Sequence, residues 1–212
     1  MRDMPLFTTE NGVASLILNQ IPYTKSAWIR IQDSVMPASL LEECIEFCRA
    51  VGAEYIYAAG DGCCACFPEY TKIIKMQADM QSVGETNAAL FPVTENTLEK
   101  WRTVYNDKIK SVPNGAWMTI EQSKQMLEQG SGYFIHRDGT LLGTGMVADN
   151  QIFWAASVKP GAGADVVKAL CHAVTADTVT LEVASANLKA VKLYENLGFV
   201  PTKLIAQWYQ IK

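Results

Sequence analysis

Three short stretches of the 212-residue chain carry side chains or backbone capable of chemistry. The first is "VASANLKAVKLYENLGF", residues 183 to 199, in which Tyr194 stands one helical turn before a Leu-Gly stop. A phenol with an ordinary pKa near 10 stays protonated at neutral pH and can act as a proton donor. The second is "VKPGAGADVV", in which Gly161 and Gly163 precede an apolar helical segment. A helix start carries unpaired N–H donors and about half a positive charge, and glycines ahead of it let a diphosphate approach the backbone. The third is "DGCCACF", with Cys63, Cys64 and Cys66. A zinc site asks for paired C-x-x-C units or accompanying histidines, and the only histidines are His136 and His172, so no metal is expected. His172 lies beside Cys171, but no acidic third member completes a Cys-His nucleophile.

These stretches need elements to position them. In the first, Asn187 can cap a helix whose face is lined by Ala190, Leu193 and Leu197, and Gly198 supplies the left-handed residue that ends it. Upstream, the chain partly repeats itself. "LFTTENGVASLIL" and "YFIHRDGTLLGTG" both read as β-hairpins turning at Asn-Gly or Asp-Gly. Each is followed by a strand ending in Val-x-Pro, a helix and a further strand. In the first helix Leu40, Leu41, Cys44, Phe47, Cys48 and Val51 form the expected buried stripe. "FPEYTKII" and "FVPTKLI" then close the two copies. Ala59 to Phe67 is eight steps and Ser185 to Phe199 fourteen, so only the second copy has room for the tyrosine helix.

Residues 75 to 92 read as a connection, followed by two helices with N-cap signals at Thr94 and Thr119, the latter with Gln122 in the capping-box position. The domain reading is a truncated copy over residues 1–80 and a fuller one over 87–212, with an α/β fold throughout.

Composition narrows the function classes. Apolar residues make up 49% and charged residues 19%, which suits a packed globular chain. A net charge of −4 provides no electrostatic footprint for nucleic acid or an anionic membrane. No spanning segment and no basic leader followed by an apolar run are read in the sequence, so a cytoplasmic location with reduced cysteines is the expectation.

The run Asn187, Ala190, Leu193, Tyr194, Glu195, Leu197, Gly198 and Phe199 resembles the C-terminal motif of the GNAT acyltransferase superfamily. With the order of elements, the resemblance covers about residues 87 to 212, and the first copy looks like a truncated repeat of the same core. It implies a mixed, twisted sheet flanked by helices, preceded by a smaller half-copy. It also implies a splayed pair of parallel strands that admits acetyl-CoA, used as acyl donor to a primary amine on a small molecule or peptide. By resemblance, backbone at Val158 and the turn Gly161, Ala162, Gly163 and Ala164 hold the pantetheine and pyrophosphate, Asn187 and Ala190 lie near the arm, and Tyr194 is the acid for the leaving thiolate. The chain departs from the family at Val158, where Gln or Arg is usual, and in having no carboxylate between Gln151 and Val158. The alternative reading is a non-catalytic acyl-CoA-binding protein with a regulatory or interaction role.

Overall fold

A computed structural model describes residues 5–60 and 62–211. Residues 1–4, part of the stretch in which no leader was read, lie outside the described residues, as do position 61 in the cysteine loop and position 212. Two compact units are present, one of residues 1–72 with 205–212 and one of residues 73–204.

In the first unit, β1 (Leu6–Thr9) and β2 (Gly12–Ile17) form a hairpin, a short helix α1 (Ile21–Thr24) leads into β3 (Ser26–Ser34), and α2 (Pro37–Ala50) crosses to β4 (Tyr55–Ala59). β2 and β3 are antiparallel, whereas β3 and β4 are parallel from Ser26↔Tyr55 to Arg30↔Ala59. Helix α2 buries Leu40, Leu41, Cys44, Ile45 and Cys48 against the sheet. Phe47 and Val51, assigned to that stripe from spacing, stand at its rim at 39% and 43% exposure, and Ile45 takes the inner position. Phe47 instead meets Phe7 with ring centroids 5.3 Å apart.

The second unit holds α3 (Met80–Val83), β6 (Ala89–Pro92), α4 (Glu95–Ile109), α5 (Ile120–Glu128), β7 (Gly132–Arg137), β8 (Thr140–Ala148), β9 (Gln151–Ser157), α6 (Gly163–Cys171), β10 (Thr178–Ala184) and α7 (Leu188–Asn196). Two strands, β5 (Glu69–Asp79) and β11 (Val200–Gln210), give residues to both units. Residues 75 to 92 are more ordered than a connection: Met76 and Ala78 continue the alternating burial of β5, and Ala89–Pro92 pairs with β7 as an edge strand. Both predicted caps form. Thr94 N–H donates to Thr97 Oγ1 at 2.9 Å, and Thr119 and Gln122 exchange bonds of 3.0 and 3.2 Å.

The copies exchange their closing strands. β5 follows the first copy but runs antiparallel to β10 from Ile73↔Ala184 to Asp79↔Thr178. β11 follows the second copy, yet Tyr209 and Gln210 pair with Ala58 and Tyr57 of β4.

Within the second unit the strand order is β5-β10-β9-β8-β7-β6. One face packs on α6 and α7 through Met76, Leu142, Ile152, Val166, Leu170, Leu181 and Phe199, while the other packs on α4 and α5 through Trp101, Met118, Met126 and Trp154. No helix among the described residues is long and apolar enough to cross a membrane.

Candidate functional site

The site is built where β9 and β10 part. These parallel neighbours pair only at Thr180↔Gln151 and Leu181↔Ile152, although β9 continues to Ser157 and β10 to Ala184. The cause is visible in β9. Against β8, Val147 pairs with Ile152 and Met146 with Trp154, so Phe153 is an extra residue without an opposite number. A bulge of this kind bends its strand and re-aims the side chains beyond it. Ile152 therefore belongs to the α6 face and Trp154, two residues on, to the α4 face. Phe153 itself is 57% exposed. Past the bulge β9 stays bonded to β8, and Val158 N–H donates to Leu142 O at 2.8 Å, but its edge toward β10 has no ladder. No strand is paired with those backbone groups on that side.

The first unit shows what happens without the separation. There β3 and β4 hold register for five pairs, and Gly60 then runs so close to β3 that a Cβ on it would stand 2.8 Å from Ile31 Cβ. A 3-10 turn, Gly62–Cys66, replaces the tyrosine helix.

The start of α6 lies beyond the end of β9. Gly161 turns the chain at φ +82°, a left-handed value that suits glycine, and a Cβ there would meet only open space. Ala162 is the N-cap and offers no side-chain cap. The first N–H bonded within the helix is that of Val166, to Ala162 O at 3.0 Å, which leaves the N–H groups of Gly163, Ala164 and Asp165 without intrahelical acceptors. Asp165 brings a negative charge to this turn, and the fold ties it down. Its Oδ1 accepts from Thr86 Oγ1 at 2.8 Å, and its Oδ2 pairs with Arg137 Nη1 at 3.1 Å. Neither Thr86 nor Arg137 was selected from the sequence, because nothing local to either residue announces a partner 79 or 28 positions away.

Helix α7 supplies the opposite wall. Asn187 caps it by accepting the Ala190 N–H at 3.3 Å, so that oxygen is already engaged. Gly198 ends the helix at φ +88°. Leu193 packs over the first turn of α6, where a Cβ on Gly163 would lie 3.1 Å from Leu193 Cδ2. Tyr194, the next residue, is 9% exposed, and its ring sits 5.8 Å from that of Phe199. Burial pushes its phenol from 10 up to about 12. Among the described residues, the fully buried side-chain atoms without a partner are Glu43 Oε2 and His136 Nε2. Leu197 and Phe199 N–H donate to the Tyr194 carbonyl at 3.0 Å, and the hydroxyl has no hydrogen-bond partner among the described residues. A buried tyrosine ring whose hydroxyl has no protein partner is unusual.

Of the residues singled out from the sequence, Ala162, Ala164, Ala190 and Tyr194 meet in one core cluster, Gly161 and Gly163 bracket the helix start, and Val158 ends the bulged strand. Two carboxylates near these elements differ in position. Asp149 lies in the turn before β9, about 26 Å of extended chain from Ser157. Glu182 follows Leu181, the last β10 residue paired with β9, and alternates with the core residues Leu181 and Val183, so it points to the α4 face. His136 sits on β7, with its ring 4.4 Å from Phe91. His172 caps the C-terminus of α6, 3.4 Å from Glu85. No group of His, Cys, Asp and Glu among the described residues is arranged to hold a metal ion.

No protein-family model matches the chain, and no curated protein matches it in sequence. Solved structures do match in fold. A conserved protein of unknown function from Staphylococcus epidermidis superposes with a TM-score of 0.62 at 10% identity, covering 99% of this chain and 94% of that one. A GNAT-family acetyltransferase from Colwellia psychrerythraea gives 0.56 at 12% identity over 98% and 84%. A tandem GNAT protein from the clavulanic acid biosynthesis pathway gives 0.53 at 10% over 94% and 78%. The fold is that of the GNAT superfamily, with a shorter repeat of the core preceding the fuller copy.

Proposed function

We propose that the chain is an acetyltransferase that moves the acetyl group of acetyl-CoA to a primary amine on a small molecule or peptide, and that the repeat over residues 87–212 carries the activity, with that over 1–80 as its structural companion. The observation that carries this reading is the grouping, on adjoining elements, of unladdered β9 backbone, free N–H groups at the start of α6 and a Tyr194 hydroxyl without a partner. The fit to the donor is tested by the residues themselves. Three uncapped amides with open space at Gly161 suit a diphosphate, whose charge favours the positive end of a helix.

Acetyl-CoA, when bound, supplies an acetyl group activated as a thioester. The amides of Gly163, Ala164 and Asp165 bind its diphosphate, and the free edge of β9 up to Val158 aligns the pantetheine amides. With Ala162 and Ala190 as small walls, these groups would hold the donor in place, and positioning of this kind lowers a barrier by several kcal/mol. Tyr194 holds its proton at Oη through the neutral range and would be the acid for the thiolate that leaves. Glu182, on the α4 side of β10, is the carboxylate best placed to take the proton from the amine through water.

The test measures free thiol released from acetyl-CoA with an amine panel, beside the dissociation constant for CoA. Tyr194→Phe lowers turnover by about ten- to a hundredfold while CoA affinity changes little. Equal loss of both sinks the assignment of Tyr194, and CoA binding without turnover on any amine favours the second reading. That reading, a non-catalytic acyl-CoA binder, draws on the absence of any carboxylate on β9.

A further inference from the structure

The first unit contains a cluster of thiols that the transferase reading does not use. Its 3-10 turn, Gly62–Cys66, carries Cys63, Cys64 and Cys66, and the three meet different surroundings. Cys64 is 0% exposed and belongs to the core of the unit with Leu40, Cys44 and Ile56. Burial, with Cys63 and Cys66 beside it, pushes its thiol up to about 12, so it stays protonated. Cys63 is half-buried and Cys66 is exposed. The anchor at Cys64 and the bond from Phe67 N–H to Cys64 O at 3.1 Å hold the turn in shape.

In a 3-10 helix three residues complete one turn, so side chains at i and i+3 eclipse one another. Cys63 and Cys66 stand in that relation. At a rise of about 2.0 Å per residue their α-carbons lie about 6 Å apart on one edge, inside the range of about 4.4–6.8 Å that a disulfide spans. Cys66 already folds back on Cys63, its Sγ donating to Cys63 O at 3.2 Å. Cys64 is the rival partner, since its Sγ lies 3.8 Å from that of Cys63. Neighbouring residues, however, hold their α-carbons about 3.8 Å apart, below that range, and a bridge between them is strained. The buried thiol is also out of reach of an oxidant in solution. Cys44 and Cys48, one turn apart on α2, are both 0% exposed and fall on the same ground.

We propose that Cys63 and Cys66 are a site of oxidation by hydrogen peroxide, closing to a disulfide across the turn while Cys64 stays reduced. The Cys66 thiolate attacks one peroxide oxygen and the O–O bond breaks. A sulfenic acid forms on Cys66, and the hydroxide that leaves takes up the proton Cys66 gave up, making water. The Cys63 sulfur then attacks the sulfenic sulfur: the S–S bond forms, the S–O bond breaks, and the second hydroxide departs as water with the Cys63 proton. Two thiols thus lose two electrons and two protons, and the peroxide becomes two waters. The site stands apart from the acetyl-CoA reading, and neither depends on the other.

The test treats the reduced whole chain with a small molar excess of hydrogen peroxide and blocks the remaining thiols in denaturant with light N-ethylmaleimide. Reduction follows, and the released thiols take the isotopically heavy reagent. Trypsin cuts after Arg49 and Lys72, so one peptide carries the three cysteines of the turn and none of the others. Heavy label is expected on Cys63 and Cys66 and light label on Cys64, in chains that remain free of intermolecular cross-links. Cys66→Ser, a change at an exposed thiol, is expected to remove the heavy label from Cys63. Cys64→Ala is expected to leave it on both partners. Labelling of the parent chain locates the bond by itself, so a failure of Cys64→Ala to fold does not remove the test. Heavy label on Cys64, light label on all three, or Cys66 carried on to a sulfinic acid beside a light-labelled Cys63 overturns the proposal.

Discussion

Leu193 of α7 rests on Gly163 at the first turn of α6, so closely that a Cβ on the glycine would stand 3.1 Å from Leu193 Cδ2. The two helices that frame the opening are thus in register through one leucine, and Tyr194 is the residue after it. Ala at position 163 asks Leu193 to give by a few tenths of an ångström, but a branched side chain asks for more. Gly163→Val is expected to destabilise the fold by about 1–3 kcal/mol through overpacking and to weaken CoA binding. Adding Leu193→Ala should recover part of both losses, as a double-mutant cycle in urea unfolding and CoA titration would read. Strictly additive losses would mean that the leucine does not set the helix start.

Tyr194 links the site to alkaline stability. Its folded pKa is raised by burial from 10 to about 12, so the neutral phenol is favoured in the native state. The associated stability is fully present below pH 10 and is lost as pH rises through about 12, amounting to roughly 2–3 kcal/mol. Tyr194→Phe should flatten the fall in unfolding free energy between pH 10 and 12 relative to the parent. In the rate profile, Tyr194 contributes no basic limb below pH 10.

The sequence made the local features legible. Hairpins at Asn11-Gly12 and Asp138-Gly139, the capping boxes, and the Asn187 cap and Gly198 stop around Tyr194 all depend on residues within a turn of one another. What it hid depends on pairing between distant segments. The extra residue at Phe153 shows no signature in "QIFWAAS", because a bulge is defined by the partner strand. The exchange of β5 and β11 is hidden for the same reason: both read simply as strands that follow their own copies. Nothing local to Asp165 shows that Arg137 and Thr86, remote in the chain, close on its carboxylate.

The six cysteines divide sharply by environment. Cys66 is exposed and Cys63 half-buried, whereas Cys44, Cys64 and Cys171 are buried with thiols pushed up to about 12, and Cys48 to about 11. Burial is the leading cause in each, with neighbouring Cys48 and Glu43 adding to the rise at Cys44, and Cys63 and Cys66 to that at Cys64. The thiolate is the reacting form, so a maleimide pulse at pH 7.5 should label Cys66 first and Cys63 more slowly. The other four should react only in denaturant, as peptide mass spectrometry would resolve. Early labelling of Cys64 would show that the 3-10 turn opens readily.

Arg137 acts on the opening through Asp165. The pair, 3.1 Å apart and partly exposed, adds about 0–1 kcal/mol to stability, so its weight lies in charge placement. Without Arg137 the carboxylate of Asp165 keeps its bond from Thr86 but loses its counter-charge, one residue beyond the amides of Gly163 and Ala164. Two negative groups then compete for one helix end. Arg137→Ala is expected to weaken CoA binding by several-fold at low ionic strength, with the deficit shrinking at 0.5 M salt as the repulsion is screened. Arg137→Ala combined with Asp165→Asn should bind CoA about as well as the parent, since the unpaired charge is gone. If the double variant binds as poorly as Arg137→Ala alone, Arg137 contacts the diphosphate itself and does not merely restrain Asp165.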